Sequence, residues 1–155
     1  MVDLSRVWRL SWAECWLMAQ ALVLLPLTGL ALRVIRFRRW QAALARLAPS
    51  GPPPLPRHGG ATLLEARAVA RLVEAAARRG LYRATCLPRS LALWWLLRRR
   101  GIAADLRIGV RKEGGRFEAH AWTEWRGTVL NDGDDVGERF AVFQRAIKPV
   151  AGAAL

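Results

Sequence analysis

The sequence predicts an α+β domain in which helices come first and an antiparallel meander follows. Three observations carry this. Apolar residues after Thr62 recur at helical spacing up to Gly80. The stretch Cys86 to Gly101, CLPRSLALWWLLRRRG, reads as a helix that is apolar on every side and therefore central. From Asp105 onward the period changes to alternation, as strands require.

The 155 residues suffice for one domain with a modest core, and 53% hydrophobic content excludes a disordered chain. Net charge is +13. That balance suits nucleic acid, anionic lipid or an acidic peptide. The arginines are spread over the whole chain, and neither an aromatic-interleaved basic stretch nor a zinc-finger spacing is present. No nucleic-acid partner is therefore expected. Cys15 and Cys86 stand in very different settings, which speaks against a disulfide framework and for a reducing, cytoplasmic compartment.

Residues 1–48 are an apolar helical region. Cys15 to Leu32 is an uncharged run of 18 residues, the lower edge for a membrane span, and Arg33, Arg36, Arg38 and Arg39 follow it. Gln20, Pro26, Thr28 and Gly29 interrupt it. The reading is a helical hairpin broken near Pro26–Gly29 that packs on the domain or on a partner, with membrane association not favoured and Cys15 a buried small hydrophobe. Residues 49–60 hold five prolines and three glycines and form a linker; His58 is then a solvated loop histidine.

Residues 61–155 form the main domain. Thr62-Leu63-Leu64-Glu65 is a capping box, and Ala66, Val69, Ala70, Val73, Ala76 and Ala77 form the apolar stripe of a scaffold helix. In the next helix Pro88 falls in the first turn, where N–H groups lack intrahelical acceptors. Arg98 to Arg100 suit the negative end of the dipole and Gly101 the position after the helix. Leu106, Ile108 and Val110 alternate along a strand. Arg111 to Arg116 reads as a turn, Phe117 to Trp125 as a second strand, Thr128 to Asn131 as a third, GDDVGERF as loop, and Ala141 to Pro149 as a short strand or helix.

A helix N-terminus favours anions, so a cysteine there is suited to nucleophilic chemistry, and its own N–H is suited to stabilise an oxyanion. His120 lies between two alanines on a strand, and Asp132 follows across a hairpin. The hairpin register decides what faces His120. A two-residue loop, Arg126-Gly127, puts Asn131 on its face; a three-residue loop, Trp125-Arg126-Gly127, puts Asp132 opposite it. Gly127 suits the last position of the three-residue type, and Arg-Gly is a poor two-residue turn, so Asp132 is favoured. The bland reading is a core cysteine, a satisfied strand histidine and a turn aspartate. Cys86, His120 and scattered carboxylates lack the paired spacing of a zinc site, and no metal or organic cofactor is expected.

The segments CLPRSLAL, Leu97 with Arg100-Gly101, Ile108-Gly109-Val110, FEAHAW and Gly127 to Asp132 resemble the transglutaminase-like cysteine peptidases of lasso-peptide biosynthesis. The resemblance covers the second half of the chain and is most specific in its C-x-x-R-S and HAW elements. It implies a papain-like core, with a cysteine-bearing helix against a small antiparallel sheet. It also implies a Cys86, His120, Asp132 triad that removes the leader from a ribosomal precursor peptide. In the family a strand-rich, winged-helix leader-recognition domain is fused or separate. Residues 1–60 show no such strands, so the resemblance implies a separate recognition protein, and with it an ATP-dependent macrolactam synthetase. Transglutaminase-type transfer to an amine on the same residues, and a non-enzymatic membrane-associated binding protein built on residues 15–39, are the alternatives.

Overall fold

The computed structural model describes residues 11–47, 59–80 and 82–143. The order is α1 (Trp12–Val34), α2 (Phe37–Leu47), α3 (Gly59–Arg79), α4 (Cys86–Arg99), β1 (Asp105–Glu113), β2 (Arg116–Trp125), β3 (Thr128–Val129), α5 (Val136–Arg139) and β4 (Ala141–Val142). The fold is α+β. The sheet is antiparallel in the order β3-β2-β1-β4.

The core is built around α4. Leu91 to Leu97 are all buried, and four of these leucines are wholly enclosed. Burying such a side chain stabilises a fold by about 1.5–3 kcal/mol. α1 and α3 pack on one side of α4 and the sheet on the other. The stripe of α3 is buried as its period predicts: Ala66, Val69, Ala70, Val73 and Ala76 all lie in the core. A smaller cluster, Trp122, Val136 and Phe140, fills the opposite face of the sheet.

Several expectations need correction. α1 is one continuous helix and not a hairpin broken near Pro26–Gly29. Pro26 removes one intrahelical bond, but burial of Leu17, Ala21, Leu24, Leu25, Thr28 and Ala31 outweighs it. Gly29 serves close approach: a Cβ there would overlap the phenol of Tyr82. Ser11 and Glu14 form a capping box that starts α1. Cys15 is exposed, because it lies on the face of α1 turned away from α3 and α4. α3 begins at Gly59, so the last two residues of the expected linker are helical and Thr62 lies inside the first turn. His58 and the rest of that linker fall outside the described residues, as does everything after Phe143. The expected turn at 111–116 shrinks to Gly114-Gly115, both at positive φ, and the expected loop 133–140 contains α5. A four-residue helix is too short to leave a periodic signal.

The β2–β3 hairpin uses the two-residue loop. Glu124 pairs with Val129 and Trp125 with Thr128. Arg126 and Gly127 both have positive φ, 50° and 79°, the geometry that matches strand twist. Arg126 is a costly residue for it, at about 1–2 kcal/mol. Its guanidinium lies 5.0 Å from the Trp125 ring centroid, a contact that offsets part of this.

Candidate active site

Cys86 is the first residue of α4, after the N-cap Thr85, and is half-buried. Arg89, in the first turn, pairs with Glu74 of α3 at 3.1 Å and anchors this end of the helix. β3 pairs with Glu124 and Trp125 of β2, the Leu130 N–H adds a bond to the Thr123 carbonyl at 2.9 Å, and upstream of Thr123 this strand edge is left without ladder pairing. Side chains close that edge. Ser90 Oγ donates to the Ala121 carbonyl at 2.8 Å, and Thr123 Oγ1 donates to the Ser90 carbonyl at 3.0 Å. The Thr123 N–H donates to Asn131 Oδ1 at 2.8 Å, and Asn131 Nδ2 donates to Ser90 Oγ at 2.9 Å. Ser90 and Thr123 are fully buried, so these bonds satisfy groups that water does not reach. The network fastens the start of α4 to β2. Cys86 stands one turn before Ser90 on the side of the helix that meets β2, while the His120 side chain, alternating with Ala121 and Thr123, packs with Trp122 and Phe140 on the other face of the sheet.

His120 Nε2 meets Asp132 Oδ2 at 2.5 Å, with both side chains about four-fifths buried. An ionised carboxylate only accepts, so Nε2 carries the proton and Nδ1 is left as the acceptor. The imidazole stacks on Phe140 at 4.9 Å and on Trp122 at 6.2 Å between centroids. Asp132 Oδ1 accepts from Arg139 at 2.9 Å and from the Gly133 N–H at 2.7 Å. Burial alone would raise this carboxyl. The hydrogen bonds from His120, Gly133 and Arg139, with the charge of His120, hold it below its ordinary value.

The structure thus brings His120 and Asp132 together, while no hydrogen bond joins Cys86 to His120 among the described residues. Asp132 reaches His120 despite the two-residue loop. The ladder ends at Val129, a last backbone bond runs from the Leu130 N–H to the Thr123 carbonyl, and the chain then bends so that Asn131 turns to Ser90 and Asp132 to His120. Sequence reasoning missed Ser90, Thr123, Arg139 and Phe140. Only Ser90 carried a signal, through the C-x-x-R-S element. A cleft of about 370 Å³ opens beside Asp132, between Arg71, Glu74 and Arg78 of α3 and Leu130 and Asn131 of the loop. Among the described residues no group of three or more His, Cys, Asp and Glu side chains is placed to hold a metal ion.

A sequence model of the transglutaminase-like superfamily matches residues 11–145. This chain belongs to the transglutaminase-like superfamily. The matched residues span α1 and α2 as well as α3, α4 and the sheet. The chain is also similar to the microcin J25-processing protein McjB of Escherichia coli, with 37% identity over 62 residues. That stretch is 40% of this chain and 29% of the relative, so the match spans under a third of the relative's length. No solved structure matches the chain.

Proposed function

We propose that this protein is a cysteine peptidase that removes the leader from a ribosomally made lasso precursor peptide. One observation carries the reading: a histidine oriented by a carboxylate, His120 with Asp132, on a strand fastened to a helix that begins with cysteine. Membership of the transglutaminase-like superfamily and the similarity to a microcin J25-processing protein support it.

In this mechanism the Cys86 thiol loses its proton to His120 Nδ1, and the sulfur attacks the carbonyl carbon at the leader–core junction. The Cys86 N–H, in a first turn without intrahelical acceptors, faces the developing oxyanion. The C–N bond breaks as His120 returns its proton to the leaving amine. Water then attacks the thioester carbon, His120 takes the water's proton, and the thiolate departs. Asp132 keeps Nε2 protonated and stabilises the imidazolium. The cleft between α3 and the 130–132 segment holds the peptide beside Asp132. The peptidase acts in the cytoplasm. A separate winged-helix-type protein presents the leader, and an ATP-dependent macrolactam synthetase receives the freed core.

The test is to incubate the full chain with candidate precursor peptides, with and without the separate recognition protein, and to weigh the products by mass spectrometry. The expected products are a leader and a core that together weigh the precursor plus one water. They should appear slowly with the chain alone, much faster with the recognition protein, and not at all with Cys86→Ala. Transfer to an added amine without hydrolysis would assign the site to transglutaminase-type chemistry. Intact precursor after incubation with folded protein and its recognition partner would refute both.

A further inference from the structure

Among the described residues, one long helix face is left uncovered. Trp12, Trp16, Val23, Leu27, Leu30 and Val34 recur at spacings of three, four and seven along α1 and share one side of it. They are between 48% and 88% exposed. The other side of the same helix, Leu17, Ala21, Leu25 and Thr28, is buried against α3 and α4. The uncovered face runs about 33 Å along the 23 residues of α1. A groove of about 340 Å³ runs beside it, with Trp16, Ala19, Gln20, Val23 and Leu27 on one wall and Trp95 of α4 on the other. A contiguous exposed surface of this kind marks an interaction site.

The ends of the face identify its occupant. Arg33, Arg36, Arg38 and Arg39 cluster at its C-terminal end; all four are exposed and none makes an ion pair among the described residues. At the other end stand Trp12 and Trp16, whose rings are apolar with one polar N–H. Between Ala19 and Leu30, Gln20 on the groove wall is the one hydrogen-bonding side chain that is not buried. A protein partner of this length would bring a polar rim that needs several such groups. A lipid surface needs none in its acyl zone. It accepts tryptophan at the headgroup boundary and offers phosphates to arginine.

We propose that α1 lies in the plane of an anionic phospholipid surface. The apolar face enters the acyl boundary and the arginines at the α1–α2 corner engage headgroup phosphates. α1 is long and apolar enough to cross a bilayer. It lies flat instead, because its inner side is packed on α3 and α4, and α3 carries exposed Arg67, Arg71 and Arg78 that hydrocarbon would not accept. The attachment stands whether or not the site is a peptidase.

The test is co-sedimentation of the full chain with vesicles of phosphatidylcholine alone or mixed with phosphatidylglycerol. The wild type should pellet with the mixed vesicles and far less with the neutral ones. Val23→Asp/Leu27→Asp and Arg36→Gln/Arg38→Gln/Arg39→Gln should each bind the mixed vesicles about tenfold more weakly, with unchanged far-UV circular dichroism. A wild type that stays in the supernatant with both vesicle types overturns the proposal. So does Val23→Asp/Leu27→Asp binding as the wild type does, since that is charge adsorption without insertion. A dimer in solution that ignores vesicles and is broken by the same two substitutions gives the face to a second copy of the chain, and also overturns it. If the aspartate variant does not fold, brominated phosphatidylcholine in the mixed vesicles decides with the native chain. Quenching that is lost in Trp12→Phe/Trp16→Phe supports insertion, and absence of quenching excludes it.

Discussion

Asn131 Nδ2 donates to Ser90 Oγ at 2.9 Å across 41 residues of sequence. This single contact joins the helix that starts at Cys86 to the segment that ends at Asp132, and Asn131 is committed on both sides. Its Oδ1 takes the Thr123 N–H, so the amide is turned to Ser90 and Thr123, and it is Asp132 that meets His120. Asn131→Ala should therefore act first on stability. It leaves the Thr123 N–H without its partner and the Ser90 hydroxyl without a donor, at a cost of about 1–3 kcal/mol. Thermal unfolding checks this, with kcat falling far less than in Asp132→Ala.

Asp132 is the residue on which the chemistry should depend. Asp132→Ala leaves His120 Nε2 unheld, and kcat should drop roughly 10³–10⁴-fold with folding intact. Asp134 and Asp135 should be dispensable for turnover, since neither contacts His120. Asp134→Ala and Asp135→Ala assays beside Asp132→Ala separate these roles.

Acid should expose the same carboxylate. Its value is lowered in the folded state, with burial opposing and the bonds from His120, Gly133 and Arg139 prevailing. A depressed carboxyl adds stability above its unfolded value, and that stability is lost as pH falls through the lowered folded value. Arg139→Ala removes one of the lowering contacts, so acid unfolding should begin at a higher pH than in the wild type. A circular dichroism titration into the acid range measures the shift.

Gly109 tests the packing behind the imidazole. A Cβ there would lie 2.9 Å from Phe140 Cβ and about 3.0 Å from the Trp122 ring. Gly109→Ala must push aside the aromatic on which His120 stacks. A loss of about 1–3 kcal/mol is expected, with lowered activity. Melting curves and the His120 ring resonances in NMR follow the two effects.

Cys86→Ala should abolish turnover and Cys15→Ala should spare it. Because Cys15 is exposed on α1, iodoacetamide should reach both thiols. Only modification of Cys86 should track the loss of activity in a peptide-mapped time course. Activity that survives full Cys86 alkylation would exclude it as the nucleophile.

The parts of this fold that sequence reveals are those with a strong local period. α4 is apolar all round, α3 has its stripe, and β1 and β2 alternate; each element forms where its pattern places it. What sequence hid was set by contacts between distant segments. Pro26 and Gly29 read as a break, yet the packing of α1 on α3 and α4 carries the helix through them. Arg126 reads as a poor turn residue, yet strand twist and its stacking on Trp125 hold the tighter loop. Asp132 stands against His120, but by a bend after Val129 and not by the ladder register that sequence suggested. Arg139 and Phe140 were invisible because α5 is a single turn.

The polar knot of Ser90, Thr123 and Asn131 also selects one register of β2 against α4. Strand side chains alternate, so a slip of β2 by one residue would send His120 to the face of α4 and Thr123 away from it. A purely apolar contact would tolerate such a slip at modest cost. Here the slipped chain would leave two hydroxyls, an amide and three backbone groups without these partners, which penalises the slip. Alignment of the strand with α4 is thus specified by hydrogen-bond partners as well as by apolar packing.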